Sequence, residues 1–465
     1  MANCASMSLA EQAALAQFRG DVIRPGDERY DSARSIFNAM FDRKPAFIAR
    51  CTGVADVITA IRFARDTHLP VAVRSGGHSL AGHGVCDDGI VIDLAPMKGM
   101  RVDPKAKTAV AQAGLTWGEF DRETQAFGLA TTGGRVTSTG IAGLSLGSGS
   151  GWLERKFGLV PDNLLSIDLM TAEGDLVTAS AEENPELFWG VRGGGGNFGI
   201  ATSLEYRLHE LGPMLVGGIL LYRIEKAREL LPGWRDYIER APDEVGGAFA
   251  LVTAPPLPFV PRELQGQRVA MLFFLYAGPI EHGELAAEQV RALGEPDVDL
   301  VDSTPYVEVQ KLLDPGSPPG RHHYWKSENL NELSDGAIDA LLAAAERVTS
   351  PHTFIVLEPK GGAISRVDDK ATAIGGRDAK YTYYAMAMWE DTAETDTHVD
   401  WARELGAAME PFAGTGVALD FLSETDDDRV RKTFGPEKYA RLVELKRRYD
   451  PLNVFCNNPN IKPQH

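Results

Sequence analysis

Cysteine is scarce in this sequence. Four thiols, Cys4, Cys51, Cys86 and Cys456, are scattered over 465 residues without C-x-x-C spacing, which argues against both a zinc site and a disulfide framework. No stretch of about 18 consecutive apolar residues occurs, so no membrane-spanning helix is expected. The N-terminal run MANCASMSLAEQAALAQF lacks a basic segment leading into an apolar core; no secretion signal is read there, and the expectation is a cytoplasmic protein. Basic residues are in deficit, 47 Lys and Arg against 65 Asp and Glu, giving a net charge of −18. Such a chain is poorly suited to nucleic acid, whose phosphates require a basic face. His322, His323, His352 and His398 show no HExxH spacing and have no cysteine partner; they read as core or surface histidines, and no metal is expected. Neither Ser148 nor Ser150 stands in a G-x-S-x-G setting, since both alternate with glycines instead.

Glycine, by contrast, is abundant, with 48 residues. The length favours two domains, and the 44% hydrophobic content is that of a globular enzyme. Over the first 130 residues the pattern alternates. A short helix over residues 8–19 and a turn at Arg24–Asp27 precede a strand at Ala46–Arg50 and an amphipathic helix at Val54–Thr67. Strands follow at Val71–Val73, Ile90–Leu94 and Thr108–Ala113, then a helix at Trp117–Phe127 that stops at Gly128. A hairpin is expected from Leu164–Met170 and Leu176–Ala179, and a strand at Ile200–Leu208. Beyond residue 210 glycine thins. Strands at Val269–Tyr276, Thr353–Leu357 and Tyr381–Trp389 alternate with helices such as Ser334–Val348, before a last helix at Pro436–Tyr449. Prolines at 255–261 and in PGSPPG (315–320) mark long loops.

Three glycine-rich loops stand out: RSGGHS (74–79), the run from Gly140 to Gly151, and RGGGGNFG (192–199). Adjacent glycines let backbone N–H groups converge on an anion with no Cβ in the way. Taken singly, each loop reads as a tight turn. Taken together with the asparagine-rich tail, they suit one large planar ligand bearing phosphate. Gly194-x-Gly196-x-x-Gly199 matches the dinucleotide fingerprint as a bare pattern, but the expected element after it is a strand, whereas that fingerprint works through a helix N-terminus. A Rossmann site is therefore rejected.

The segments RSGGHS (74–79), DGIVIDLAPMKGMRVDP (88–104), TGIAGLSLGSGSGWLERKFGLVPDN (139–163), NPELFWGVRGGGGNFGI (184–200) and YDPLNVFCNNPNI (449–461) carry a resemblance. Together they make the chain similar to the berberine-bridge-enzyme-like branch of the vanillyl-alcohol-oxidase superfamily of flavoproteins, which has a PCMH-type FAD-binding domain, and within it to the bacterial 6-hydroxy-D-nicotine oxidase type. The resemblance implies an α+β protein of two domains. The FAD-binding domain would be split between residues 1–208 and 415–465, and a substrate domain at 209–414 would be built on an antiparallel sheet backed by helices. It also implies an 8α bond from His78 to FAD, with Arg74, Ser75, Gly76, Gly77 and Ser79 around the pyrophosphate. Further cofactor positions carried over are Gly140, Ile141, Gly143, Gly147, Asp162, Asn163, Asn197, Gly199, Ile200 and Asn458, with Ile141 near the isoalloxazine face. Many relatives add a cysteinyl link; the matching position here is Val136, so a single tether through His78 is expected.

The implied reaction takes a hydride from a C–H next to nitrogen or oxygen of a small cyclic amine, hydroxylated heterocycle or alcohol, and O2 becomes hydrogen peroxide. The implied partners are a small-molecule substrate and O2, with no nucleic acid and no membrane, and the chain is a monomer or homodimer. Two bases common in the family are missing: the matching positions are Thr382 and the segment Ala418–Asp420. This tilts the reading toward amine oxidation, which does not need a base in the way alcohol oxidation does. The local candidates for a base are Tyr384, Glu358, Lys326 and Asp420, each of which also has a bland reading in sheet packing or surface charge. Thr382, Tyr384 and Met386 share one strand face by alternation, and Tyr381, Tyr383 and Trp389 the other. A dehydrogenase that rejects oxygen, and a flavin-scaffolded cyclase without redox turnover, are the alternatives.

Overall fold

A computed structural model of the chain describes residues 18–463. Most of the helix expected over residues 8–19 lies outside them. The chain builds three main sheets. The first is four-stranded, in the order Asp21–Ile23, Phe47–Arg50, Ile90–Asp93, Val71–Arg74; its last three strands are parallel. The parallel pairing needs a crossover, and the helix Val54–Asp66 supplies it, burying Val57, Ala60, Ile61 and Ala64 against the sheet. The second sheet is five-stranded and antiparallel, with Ile200–Arg207 between Thr108–Gln112 and Leu164–Met170; the expected hairpin pairs Leu164–Met170 with Leu176–Ser180.

The third sheet is the largest. Its strands run in the order Val298–Asp299, Met214–Arg223, Arg268–Tyr276, Val245–Thr253, Phe354–Pro359, Tyr381–Trp389 and His322–Leu330, and Asp302–Pro305 also pairs with Met214–Arg223. All of these pairings are antiparallel. Successive side chains on a strand point to opposite faces, and here the two faces have different roles. Tyr222, Phe249, Leu251, Leu272, Phe274, Tyr383 and Ala385 pack beneath the helices Ala227–Ile238, Ile280–Arg291, Asp335–Glu346 and Thr395–Met409. Ile219, Ala248, Ala250, Met271, Phe273, Val356, Tyr384 and Met386 form the opposite layer.

Two details differ from the sequence reading. The glycine run after residue 139 contains a short helix, Ile141–Leu146, because Ile141, Ala142, Leu144 and Leu146 find a core to bury against. The last helix starts at Pro436 as expected, but a further helical segment from Asp427 precedes it, and the two are separated at Gly435, whose φ of +69° and ψ of 168° are non-helical and suit the residue before a proline.

Candidate active site

The three glycine loops converge on one cavity of about 1220 Å³, bounded on the far side by the inner face of the large sheet. This exceeds the several hundred Å³ typical of a single small-molecule site. RSGGHS leaves the strand Val71–Arg74 at its C-terminal end. Gly76 packs directly on Gly140 of the second loop: a Cβ on Gly76 would stand 2.2 Å from the Gly140 nitrogen, and one on Gly140 would stand 2.2 Å from the Gly76 nitrogen. Only two glycines permit that contact. Gly77 adopts φ +70°, so the chain turns into the cavity at a conformation side-chain-bearing residues avoid. Ser75, Gly76, Gly77, His78 and Ser79 all line the cavity, as do Gly140, Gly143, Gly147, Gly199, Ile200 and Asn458.

His78 is held from two sides. Its Nε2 lies 2.9 Å from Ser138 Oγ, and its ring stacks on Phe37 with centroids 4.3 Å apart. Phe37 stacks in turn on the buried His323, at 4.6 Å. Burial lowers the His78 imidazole to about 4, so it is neutral, with a nitrogen lone pair, throughout the physiological range. Gly143 would project a Cβ into open space, which leaves room for a flat group against the start of the helix Ile141–Leu146. Asn458 Nδ2 is bonded to the Gly196 and Phe455 carbonyls, while its Oδ1 is buried with no hydrogen-bond partner. A buried acceptor without a donor calls for a ligand N–H. Glycine backbone for phosphate, a flat slot, a neutral histidine and an unsatisfied acceptor together fit FAD.

The cavity has one strongly polar end. Glu358 Oε1 lies 3.0 Å from Arg135 Nη1, and Tyr384 donates its hydroxyl to Glu358 Oε2 at 3.0 Å. Arg135 Nη2 reaches Glu154 Oε1 at 3.3 Å, Lys360 Nζ reaches the same oxygen at 3.2 Å, and Ser150 donates to Glu154 Oε2 at 2.6 Å. Two acids and two bases thus share one buried cluster and balance in charge. Burial alone would raise Glu154, but Lys360 and Arg135 outweigh it and hold that carboxyl below its usual range. Burial and the neighbouring Glu358 push the Tyr384 hydroxyl well above its usual range. The guanidinium of Arg135 also lies over Trp152, 5.0 Å from the ring centroid. Arg135, Glu154 and Lys360 were not singled out from sequence; the only signal was charge inside otherwise apolar or glycine-rich segments.

The sheet face of the cavity is otherwise apolar. Ile219, Ala248, Ala250, Met271, Phe273, Val356 and Met386 line it from the sheet, with Trp325 and Phe421 at the side. Asp420 also lines it, accepting from Ser148 Oγ at 3.0 Å; burial raises its carboxyl.

Several residues carried over by resemblance lie away from the cavity. Ile141 is fully buried on the opposite side of its short helix, on the face where Ser145 meets the Tyr206 hydroxyl; it is a core residue and does not face a ring in the cavity. Asp162 is committed to Arg377, at 2.6 Å, and Asn163 to the Phe157 and Leu159 carbonyls and to His209. Both fix a loop behind the site rather than touching its space. Asn197 is buried and braces the third loop against the tail, bonding the Gly194 and Pro459 carbonyls and the Ile461 N–H. Arg74, by contrast, does line the cavity, although its guanidinium is paired with Asp93 at 2.9 Å. Lys326 projects from the helix-covered face, where its Nζ pairs with Glu424 at 2.8 Å and its stem packs near Gly406. It stands one residue after Trp325, so alternation turns it away from the cavity. Tyr384 meets the cavity's lining residues through its hydrogen bond to Glu358 and its ring contact with Phe421, at 5.0 Å. Among the described residues no cluster of His, Cys, Asp and Glu suits a metal ion, and no helix is long and apolar enough to cross a membrane.

Comparison with known proteins agrees with this geometry. Residues 45–180 match the model of an FAD binding domain, and residues 405–462 match the family described as berberine and berberine like. The chain is 30% identical over 462 residues to (R)-6-hydroxynicotine oxidase of Paenarthrobacter nicotinovorans, covering 96% of this chain and 97% of that protein. It is 28% identical over 449 residues to an FAD-linked oxidoreductase of Dictyostelium discoideum, covering 96% and 95%. The crystal structure of 6-hydroxy-D-nicotine oxidase from Arthrobacter nicotinovorans superposes with a TM-score of 0.86 at 30% identity, over 96% of this chain and 98% of that one. The chain belongs to the berberine-bridge-enzyme-like branch of the PCMH-type FAD-binding oxidoreductases, a family of FAD-dependent oxidases.

Proposed function

We propose that this chain is an oxidase whose FAD is tethered through His78 alone, and that it takes a hydride from a C–H next to nitrogen in a small, largely apolar ring compound. The observation that carries the reading is the sheet wall of the cavity: beside the charge-balanced cluster at Glu358, the side chains of Ile219, Ala248, Ala250, Met271, Phe273, Val356 and Met386 present an apolar face. Sugars, rich in hydroxyls, would leave many hydrogen bonds unmade against such walls. Bound FAD supplies the hydride acceptor and the path of electrons to O2. The protein's part is to hold the substrate and manage charge. Tyr384 is a poor base because its proton is bound tightly and donated to Glu358. Glu358 is occupied on both oxygens. An amine, whose lone pair stabilises the developing cation, has least need of a base there.

His78 faces the cavity, and Val136 stands where relatives carry a cysteine; Cys51 and Cys86 are buried elsewhere in the fold, and Cys456 is exposed in the C-terminal tail. Both facts support the single tether. Acid precipitation followed by a flavin-bearing peptide map tests it, the expected result being flavin on the peptide containing His78 and on no other. Anaerobic bleaching of the flavin by a panel of cyclic amines, alcohols and sugars tests the substrate class. Rapid bleaching by alcohols or sugars alone would overturn the amine reading. Reoxidation in air on the turnover timescale is expected of an oxidase, and slow reoxidation would mark a dehydrogenase.

A further inference from the structure

We propose that Ser138 is a positioning residue for the tether: its hydroxyl orients the His78 imidazole and carries away the proton that bond formation releases. The inference rests on the reading of His78 as the tethering residue. Ser138 Oγ lies 2.9 Å from His78 Nε2, the one hydrogen bond it makes among the described residues. The turn that carries it is pinned on both sides. Thr137 is held by Asp314 through its N–H at 2.9 Å and its hydroxyl at 2.6 Å, and Gly118 donates to the Thr137 carbonyl at 2.9 Å. On the other side, Trp117 donates to the Thr139 carbonyl at 2.9 Å and Thr139 donates to the Val136 carbonyl at 3.0 Å. The hydroxyl is therefore presented from a rigid support, and Phe37 holds the face of the same imidazole at 4.3 Å. With its plane set by Phe37 and one edge by Ser138, the ring is fixed in orientation before any ligand arrives.

The arrangement also assigns the two nitrogens. When Nε2 carries the hydrogen and donates it to Ser138, the lone pair sits on Nδ1, beside the cavity-lining Thr139. Bond formation then balances as follows. Nδ1 bonds to the carbon of the ring methyl group, which gives up one proton, and the Nε2 proton passes to Ser138 and on to solvent, to which Ser138 is exposed. The two electrons released enter the isoalloxazine, and O2 removes them with two protons as hydrogen peroxide. A preorganised nucleophile with a proton acceptor at its far edge is a recurring device of covalent chemistry.

The test uses the full-length chain produced under riboflavin limitation and then incubated with excess FAD, with acid-resistant flavin measured over time. Ser138→Ala should slow tethering by roughly tenfold to a hundredfold, while reversible FAD binding, read by flavin fluorescence quenching before tethering, stays the same. Ser138→Thr, which keeps the hydroxyl, should tether at close to the native rate. Equal rates for S138A and the native chain would overturn the proposal, as would attachment at Nε2 in the isolated flavin peptide. If S138A does not accumulate as folded protein, Ser138→Cys, with a weaker hydrogen-bonding group at the same place, should give an intermediate rate; a native rate there would also overturn it. Failure of the underlying reading is distinguishable: it would appear as acid-resistant flavin persisting in His78→Ala.

Discussion

Glu358 accepts from Arg135 on one oxygen and from Tyr384 on the other, both at 3.0 Å. Arg135 comes from the stretch just before the second glycine loop and Glu358 from a strand of the large sheet, so one ion pair joins the cofactor side of the cavity to the substrate wall. Removing Arg135 would leave Lys360 as the one cation for two buried carboxylates, Glu154 and Glu358. Arg135→Met should therefore destabilise the chain by about 3–5 kcal/mol, measured by urea unfolding. Glu358→Gln keeps the shape but drops the charge and turns one acceptor into a donor, so that Tyr384 must accept where it now donates; the variant should alter substrate affinity.

Position decides the next contrast. Lys326 belongs to the outward face and pairs with Glu424 near solvent. Lys326→Ala should change stability by no more than about 1 kcal/mol and leave turnover intact. A large loss of kcat would show that its side chain enters the site.

Ile141→Ala separates a packing role from contact with a ring. The side chain is fully buried in the core, so truncation should destabilise by about 2–5 kcal/mol. The visible spectrum of the bound flavin should stay unchanged in the folded variant.

Asp121 gives a pH dependence with a definite sign. It is buried between the helix Trp117–Gln125 and the helix Tyr306–Val309, bonded to Gln310 Nε2 at 2.7 Å, and its other oxygen has no partner. Burial raises its carboxyl to about 7. A folded-state value above the unfolded one means that the native chain holds a proton the unfolded chain has already lost. Stability from this group is complete below the unfolded value near 4, declines as pH rises toward 7, and is flat above. The total is ~4 kcal/mol. Asp121→Asn should remove that decline, so its gain in thermal midpoint over the native chain is larger at pH 8 than at pH 5. Equal differences at the two pH values would refute the assignment.

Much of the site was legible because glycine and histidine are informative locally. Gly76, Gly77 and His78 stand within a few residues of one another, and their conformational demands can be read without knowing what they face. Alternation placed Tyr384 and Met386 on one face of their strand and Tyr383 on the other, as the sheet does. Sequence could not place the partners that come from distant segments. Nothing near Asp162 announces Arg377, and nothing near Glu358 announces Arg135; such pairs exist only once the loops and the sheet are closed together. Ile141 shows the complementary difficulty. A motif fixed its position in the chain, but the side of a six-residue helix on which it falls is decided by the hydrophobic neighbours available, here a core extending to Tyr206 and Trp117.

The alternating faces of the large sheet have an evolutionary consequence. Phe249 and Leu251 anchor the helices, whereas Ala248 and Ala250, their immediate neighbours, touch only the cavity layer. A lineage can therefore change what enters the site by altering every second residue of a strand, leaving the residues that keep the protein folded as they were. Two alanines side by side on the wall are the cheapest such dial: a larger side chain at either shortens the chamber, and its reversal restores the depth.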